Sequence, residues 1–399
     1  MAGLNQTPSS ERVHIAFFGR RNAGKSSLVN AVTGQDVSVV SSVAGTTTDA
    51  VSKAMELLPI GPVLIIDTPG LDDEGYLGEM RVSRTKKILN KTDVAVLVVD
   101  SAVGEVDFDR EIADLVKEKN IPAVKVYTKS DLYYGEREDG KLYVSAETGE
   151  NIEELKNLIA EAAKTQTTEK RIIGDRLEAG DTVILVTPID SSAPKGRLIL
   201  PQVQTIRDIL DSYAVPVCVQ PSQLTRALEN LKTPPKMVIV DSQVFGKVKD
   251  MVPEDVPLTS FSILMAAYKG ILAFAVDGIR GLDGLKKGSK ILISEGCTHH
   301  RQCEDIGSVK IPMAIKKYTG LEELEFEFTQ GGAFPEKLDG YDLIVHCGGC
   351  MLNEREILYR AKCAADAGVP ITNYGTLLAH VSGILKRSLS CFPELEGKI

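Results

Sequence analysis

The sequence predicts an α/β protein with mostly parallel sheets, one larger N-terminal domain followed by two smaller α/β domains. Three observations predict it. Short apolar runs alternate with stretches of helical periodicity, first at Val13–Phe18, Val63–Ile66, Val94–Val99 and Val124–Tyr127, then again at Thr182–Val186, Val215–Val219 and Met237–Val240. That alternation is the pattern of a sheet covered by helices. A chain of 399 residues is also longer than one ordinary core fills. Finally, a glycine-rich loop, Gly19–Ser26, joins the first apolar run to the first helical stretch, Lys25 to about Thr33.

Composition narrows the function classes. Apolar residues make up 43% of the chain and the net charge is −9, which argues against a broad nucleic-acid footprint. The first residues lack a basic segment followed by an apolar run, and runs such as Ile271–Val276 are too short to span a bilayer. The expectation is a cytoplasmic protein with no membrane and no nucleic-acid partner. Six of the seven cysteines follow residue 290, a clustering that points to a soft-metal site rather than a disulfide framework.

Read in order, the chain has a flexible N-terminus over 1–10 and a first domain over 11–167. Its end is marked by a polar linker, Lys164–Lys170. The second domain, 175–268, has helices expected at Gln202–Tyr213, Leu224–Leu231 and Phe261–Tyr268, and a turn-like Val252–Pro257. It carries no phosphate-binding fingerprint and reads as a structural or pairing module. The third, 270–399, has strands expected at Lys290–Ile293 and Asp342–Val345 and helices at Val309–Lys317 and Glu354–Ala367.

The loop Gly19-Arg20-Arg21-Asn22-Ala23-Gly24-Lys25-Ser26 fits GxxxxGK[ST] in the required strand–loop–helix setting, and Ser27 continues it. Its amides and the helix N-terminus suit phosphate oxygens. Lys25 would reach the β- and γ-phosphates, and Ser26 would ligate Mg²⁺. Asp67-Thr68-Pro69-Gly70 fits DxxG: Asp67 would hold Mg²⁺ through water and the Gly70 amide would meet the γ-phosphate. Between them Gly45–Asp49 offers hydroxyls, and Thr47 is the expected Mg²⁺ ligand of the GTP state. Thr128-Lys129-Ser130-Asp131 fits [NT]KxD. Guanine presents two parallel donors to the Asp131 carboxylate, which adenine cannot match. Thr128 stands where asparagine is commoner, which leaves one supporting hydrogen bond in question. Ser145-Ala146-Glu147 fits the last base-contacting loop. Five elements in order predict a GTPase binding GTP, GDP and Mg²⁺.

This domain resembles the translation-factor-related GTPases, in particular the potassium-activated branch whose G domains pair and which includes the tRNA-modification GTPase. The resemblance implies that Asn22 ligates K⁺. Leu71 stands where Ras-type enzymes carry a water-orienting glutamine. Slow, K⁺-stimulated hydrolysis is the expectation, with Lys25, Asp67, Gly70 and Thr47 as catalytic residues.

The second constellation is Cys297-Thr298-His299, 46 intervening residues, and His346-Cys347-Gly348-Gly349-Cys350. Both parts follow predicted strands, where loops of a parallel sheet converge on one crevice. Gly348 and Gly349 permit a tight turn between Cys347 and Cys350, and Asn353 is placed to cap the next helix. Three Cys with two His suit either Zn²⁺ or an iron–sulfur cluster with one open position. Cys303 is kept as a reserve ligand. Cys218, Cys363 and Cys391 read as ordinary structural thiols, and His300 and His380 as ordinary histidines.

A G domain followed by C-x-H-x46-H-C-x-x-C resembles the [FeFe]-hydrogenase maturation GTPases over the whole chain. The resemblance implies a [4Fe–4S] cluster on Cys297, Cys347 and Cys350, with His299 and His346 as further candidate ligands, and a homodimer paired through the middle domain. It implies a scaffold that carries a diiron precursor, made with radical-SAM maturases, to the apo-[FeFe]-hydrogenase. The competing reading is a regulatory GTPase with a structural zinc module, acting in RNA or ribosome assembly.

Overall fold

The computed structural model describes residues 7–34, 51–68, 85–164, 170–189, 198–297 and 306–395. It divides into two compact units, 1–168 and 169–399. The predicted linker, Thr47, Gly70, Leu71, His299, His300 and Cys303 lie wholly or largely outside the described residues.

The first unit is a six-stranded sheet in the order β2-β3-β1-β4-β5-β6. Its strands are β1 Val13–Phe18, β2 Val51–Leu57, β3 Gly61–Asp67, β4 Val94–Asp100, β5 Ala123–Thr128 and β6 Leu142–Tyr143. All pair in parallel except β2 on β3. The central strands β1 and β4 are almost wholly buried, which is why they read as unbroken apolar runs. Two large apolar clusters form around the sheet, beside a small one of Val99, Tyr127 and Tyr143. One joins the helices Lys25–Thr33 and Ile152–Lys164, the other the helix Asp107–Glu118. The two edge strands carry no apolar run that marks them in the sequence: β2 alternates through Ser-Lys-Ala-Met-Glu and β6 is two residues long.

The second unit carries two four-stranded, fully parallel sheets, β10-β9-β7-β8 and β12-β11-β13-β14. The strands are β7 Thr182–Val186, β8 Val215–Val219, β9 Met237–Val240 and β10 Leu258–Ser260, then β11 Lys290–Glu295, β12 Glu325–Gln330, β13 Leu343–His346 and β14 Ile371–Asn373. The helices Leu200–Asp211, Leu224–Asn230, Phe261–Tyr268, Ile311–Thr319 and Glu354–Asp366 lie where the periodicity predicts them, within a residue or two. Three strands were missed. β10 and β14 are three residues each, and β12 is an edge strand alternating Glu and Phe.

One continuous apolar core runs from Ile172 to Leu395 and serves both sheets. Helices Phe261–Tyr268 and Leu272–Gly278 stand in it on either side of the expected boundary at 268–270. Gly278 permits this packing: a Cβ there would stand 2.0 Å from the Ile371 carbonyl oxygen. Among the described residues no single helix is long and apolar enough to cross a membrane.

Candidate functional site

The first site forms where β1, β3 and β5 end. Gly19 passes so close to β4 that a Cβ would stand 2.3 Å from the Val98 carbonyl oxygen. Asn22 and Gly24 take left-handed backbone (φ +60 and +87), and the helix Lys25–Thr33 starts at once. Such a turn gathers backbone N–H groups into an anion-binding concavity. Lys25 is buried, and its Nζ donates to the Gly19 (2.8 Å) and Arg20 (2.6 Å) carbonyls across the loop.

Ser26 Oγ donates to Asp67 Oδ2 at 2.7 Å, while Asp67 Oδ1 is buried without any partner. A buried, unpaired carboxylate oxygen is costly, and beside a serine hydroxyl it forms a set of hard oxygen donors. That set fits Mg²⁺: Ser26 and Asp67 are the residues that would hold the ion. When bound, the ion would supply charge at the phosphates.

The base side is a cleft of about 870 Å³ lined by Gly24, Ser27, Thr128, Lys129, Asp131, Ala146 and Glu147, among others. The Thr128 hydroxyl lies 2.6 Å from the Ala23 carbonyl and 3.0 Å from that of Val99. It therefore ties the base-reading strand to the phosphate loop, the support that the missing asparagine left in question. Ser145 Oγ donates to Asp131 Oδ1 at 2.6 Å and accepts from the Thr148 amide, which aims the carboxylate. Lys129, also left-handed (φ +58), pairs with Asp100 at 2.7 Å.

The second site forms at the end of the third sheet. β11 and β13 are neighbours with Ser294 opposite His346, so the chain reaches Cys297 and Cys347 from the same sheet end. The Cys347 amide donates to the Ser294 carbonyl at 2.9 Å. Its sulfur accepts from the amides of Gly296 (3.1 Å) and Gly349 (3.3 Å). Gly349 is left-handed (φ +65), the turn predicted between the two thiols. Asn353 Oδ1 caps the following helix, accepting from the Glu356 amide at 3.2 Å.

Burial pushes the Cys297 and Cys350 thiols up to about 12, and in each the neighbouring Cys347 adds to the shift, with Cys350 adding further at Cys297. Burial raises Cys347 as well, against the two amides on its sulfur. The three thiols thus share one electrostatic environment. Among the described residues no three His, Cys, Asp or Glu side chains close on a single metal ion. The set is instead soft sulfur with N–H donors, which suits an iron–sulfur cluster chemically.

His346 is buried and held below its usual range, at about 3, by that burial and then by the Arg360 guanidinium. Its Nδ1 lies 2.8 Å from the Cys347 carbonyl and its Nε2 3.2 Å from Arg360. Both ring nitrogens are therefore already engaged. Sequence reasoning passed over Arg360. The signal available was its Glu356 partner at i,i+4 on the helix after the Cys-x-x-Cys. Of the remaining cysteines, Cys363 and Cys391 pack against apolar clusters, and Cys218 is exposed on the edge strand β8. His380 meets the Tyr318 hydroxyl at 2.9 Å.

Fold and cleft together define a P-loop GTPase. Residues 14–129 match the family model described as a 50S ribosome-binding GTPase, 172–270 the hydrogen maturase F dimerization domain, and 273–391 the hydrogen maturase F tetramerization domain. The two hydrogen maturase F models together cover more than half of the chain, which belongs to the hydrogen maturase F family.

Similar proteins include the tRNA modification GTPase MnmE of Legionella pneumophila (strain Corby), 35% identical over 172 residues. That match covers 42% of this chain and 38% of the relative. The MnmE of Neisseria meningitidis serogroup C (strain FAM18) is 32% identical over 163 residues, covering 39% and 36%. The chain thus spans well under half the length of these curated relatives. Among solved structures, Aquifex aeolicus Era bound to GDP and aluminium fluoride is 20% identical. It covers 52% of this chain and 93% of that one at a TM-score of 0.34.

Proposed function

We propose that this chain is a GTP-hydrolysing scaffold that binds a [4Fe–4S] cluster on Cys297, Cys347 and Cys350. It carries a diiron precursor to an apo-[FeFe]-hydrogenase, working with radical-SAM maturases. The observation that carries this reading is that β11 and β13 lead into Cys297 and Cys347 from one sheet end, with two backbone amides donating to the Cys347 sulfur. Three cysteine ligands leave one coordination position for an exogenous group, and the cluster supplies the metal through which such a group would bind. The family models for 172–270 and 273–391 support an oligomer, with pairing through the middle domain.

In the G domain, Lys25 and the loop amides would position phosphates, Ser26, Asp67 and Thr47 would hold Mg²⁺, and the Gly70 amide would meet the γ-phosphate. Asn22, in the same loop, would ligate K⁺. Hydrolysis is slow and K⁺-stimulated in this reading, which the likeness to the MnmE G domain supports. The protein acts in the cytoplasm.

The test is anaerobic reconstitution with iron and sulfide, followed by iron content and reduced-state EPR. About four irons per chain and a signal lost in Cys347→Ala are expected. Tight zinc without iron uptake would overturn the cluster reading and leave the GTPase standing.

A further inference from the structure

Arg360 is 1% exposed, and each of its five N–H groups has an acceptor. Nε donates to Glu356 Oε1 (2.9 Å). One terminal nitrogen serves Ser294 Oγ (3.4 Å) and His346 Nε2 (3.2 Å). The other serves the Gly331 carbonyl (2.6 Å) and Glu356 Oε1 (2.8 Å). Ser294 lies in β11, His346 in β13, and Gly331 directly follows β12. One guanidinium therefore ties the ends of three strands, two of which lead into the cysteine loops. Its face lies over the Phe334 ring, 5.2 Å from the centroid.

We propose that Arg360 and His346 form a buried positioning pair that fixes Cys347. A guanidinium only donates, so His346 Nε2 must accept. Nδ1 then carries the proton and donates to the Cys347 carbonyl at 2.8 Å. Cys347 is thereby held at its amide by Ser294, at its carbonyl by His346 and at its sulfur by two further amides. His346 has no lone pair left for iron, so it acts through Cys347 and not as a ligand. Lysine could not replace Arg360, because an ammonium lacks the planar fork. The relevance to a cluster rests on the reading under Proposed function.

The pair is tested first in metal-free protein, by long-range ¹H–¹⁵N spectra of the imidazole rings, with His346→Asn assigning the signal. His346 is expected as the Nδ1–H tautomer, mixing with Nε2–H in Arg360→Lys. After reconstitution, pulsed EPR is expected to show no nitrogen coupling lost in His346→Asn. Arg360→Lys is expected to release iron to a chelator about 10- to 100-fold faster. If Arg360→Lys fails to fold, Glu356→Ala, which removes the guanidinium's own anchor, should shift the same signals. An Nε2–H tautomer in the wild type, a strong nitrogen coupling that vanishes in His346→Asn, or unchanged iron release would overturn the pair. The expected tautomer in a protein that takes up no iron would uphold the pair and overturn the cluster reading.

Discussion

Thr128 does with a hydroxyl what an asparagine amide does in the commoner form of its motif. Its bond to the Ala23 carbonyl is buried and joins the two halves of the nucleotide cleft. Thr128→Val keeps the shape and removes the hydroxyl, leaving the Ala23 and Val99 carbonyls with one partner fewer each. That change is worth about 1.5 kcal/mol, so GTP affinity should fall about tenfold, read by titration calorimetry. A second residue-scale device is the Glu105–Tyr127 hydrogen bond, joined by Lys125 at 3.0 Å from Glu105. The Tyr127 hydroxyl, then Lys125, hold the Glu105 carboxyl below its ordinary value of 4.5. Burial, then Glu105, push Tyr127 from 10.0 up to about 12. The depressed carboxyl stabilises the fold above pH 4.5, and that contribution is lost as pH falls through the lower folded value. The raised phenol stabilises below pH 10 and loses its effect as pH climbs through about 12. Tyr127→Phe should therefore lose stability at neutral pH and show a shallower dependence at both extremes in denaturant titrations against pH.

At the scale of elements, the junction into the second unit hangs on one carboxylate. Asp208, on the helix Leu200–Asp211, accepts through Oδ2 from the amides of Ile172, Ile173 and Gly174 at 3.1, 2.8 and 2.7 Å. Asp208→Ala would strand three amide donors, two of them on buried residues. A loss of about 3 kcal/mol follows, lowering the melting temperature of the 169–399 unit by about 6–12 °C. Asp208→Asn keeps one acceptor and should lose less. The cysteine loop is also built from a neighbouring element. Ser262, on the helix Phe261–Tyr268, accepts from the Gly375 amide at 3.1 Å and stands beside the position a Gly348 side chain would occupy. Helix boundaries were legible here because caps and periodicity are local. Strands β10, β12 and β14 were not, because an edge or three-residue strand is held by pairing rather than by its own pattern.

For the whole molecule, two compact units predict two unfolding transitions. GTP with Mg²⁺ at 100 times its dissociation constant should raise the stability of the first by about 2.7 kcal/mol and leave the second in place, read by calorimetry. Both sheets of the second unit should melt together, since they share one core. A third transition separating 175–268 from 270–399 would contradict that.

The parallel sheets, the phosphate loop, the base-reading carboxylate and the cysteine spacing were all legible in the chain. Each rests on residue type and short-range spacing: alternating apolar runs, glycines where the backbone must turn, thiols a fixed distance apart. The shared core, the Thr128–Ala23 bond, the three amides on Asp208 and the guanidinium linking three strand ends were not. Their partners lie tens to more than a hundred residues apart, and a buried arginine at helical spacing reads like any exposed charged position. Which hydrogen-bond acceptors surround such a group depends on how strands stack side by side, and that is settled only when the chain is folded.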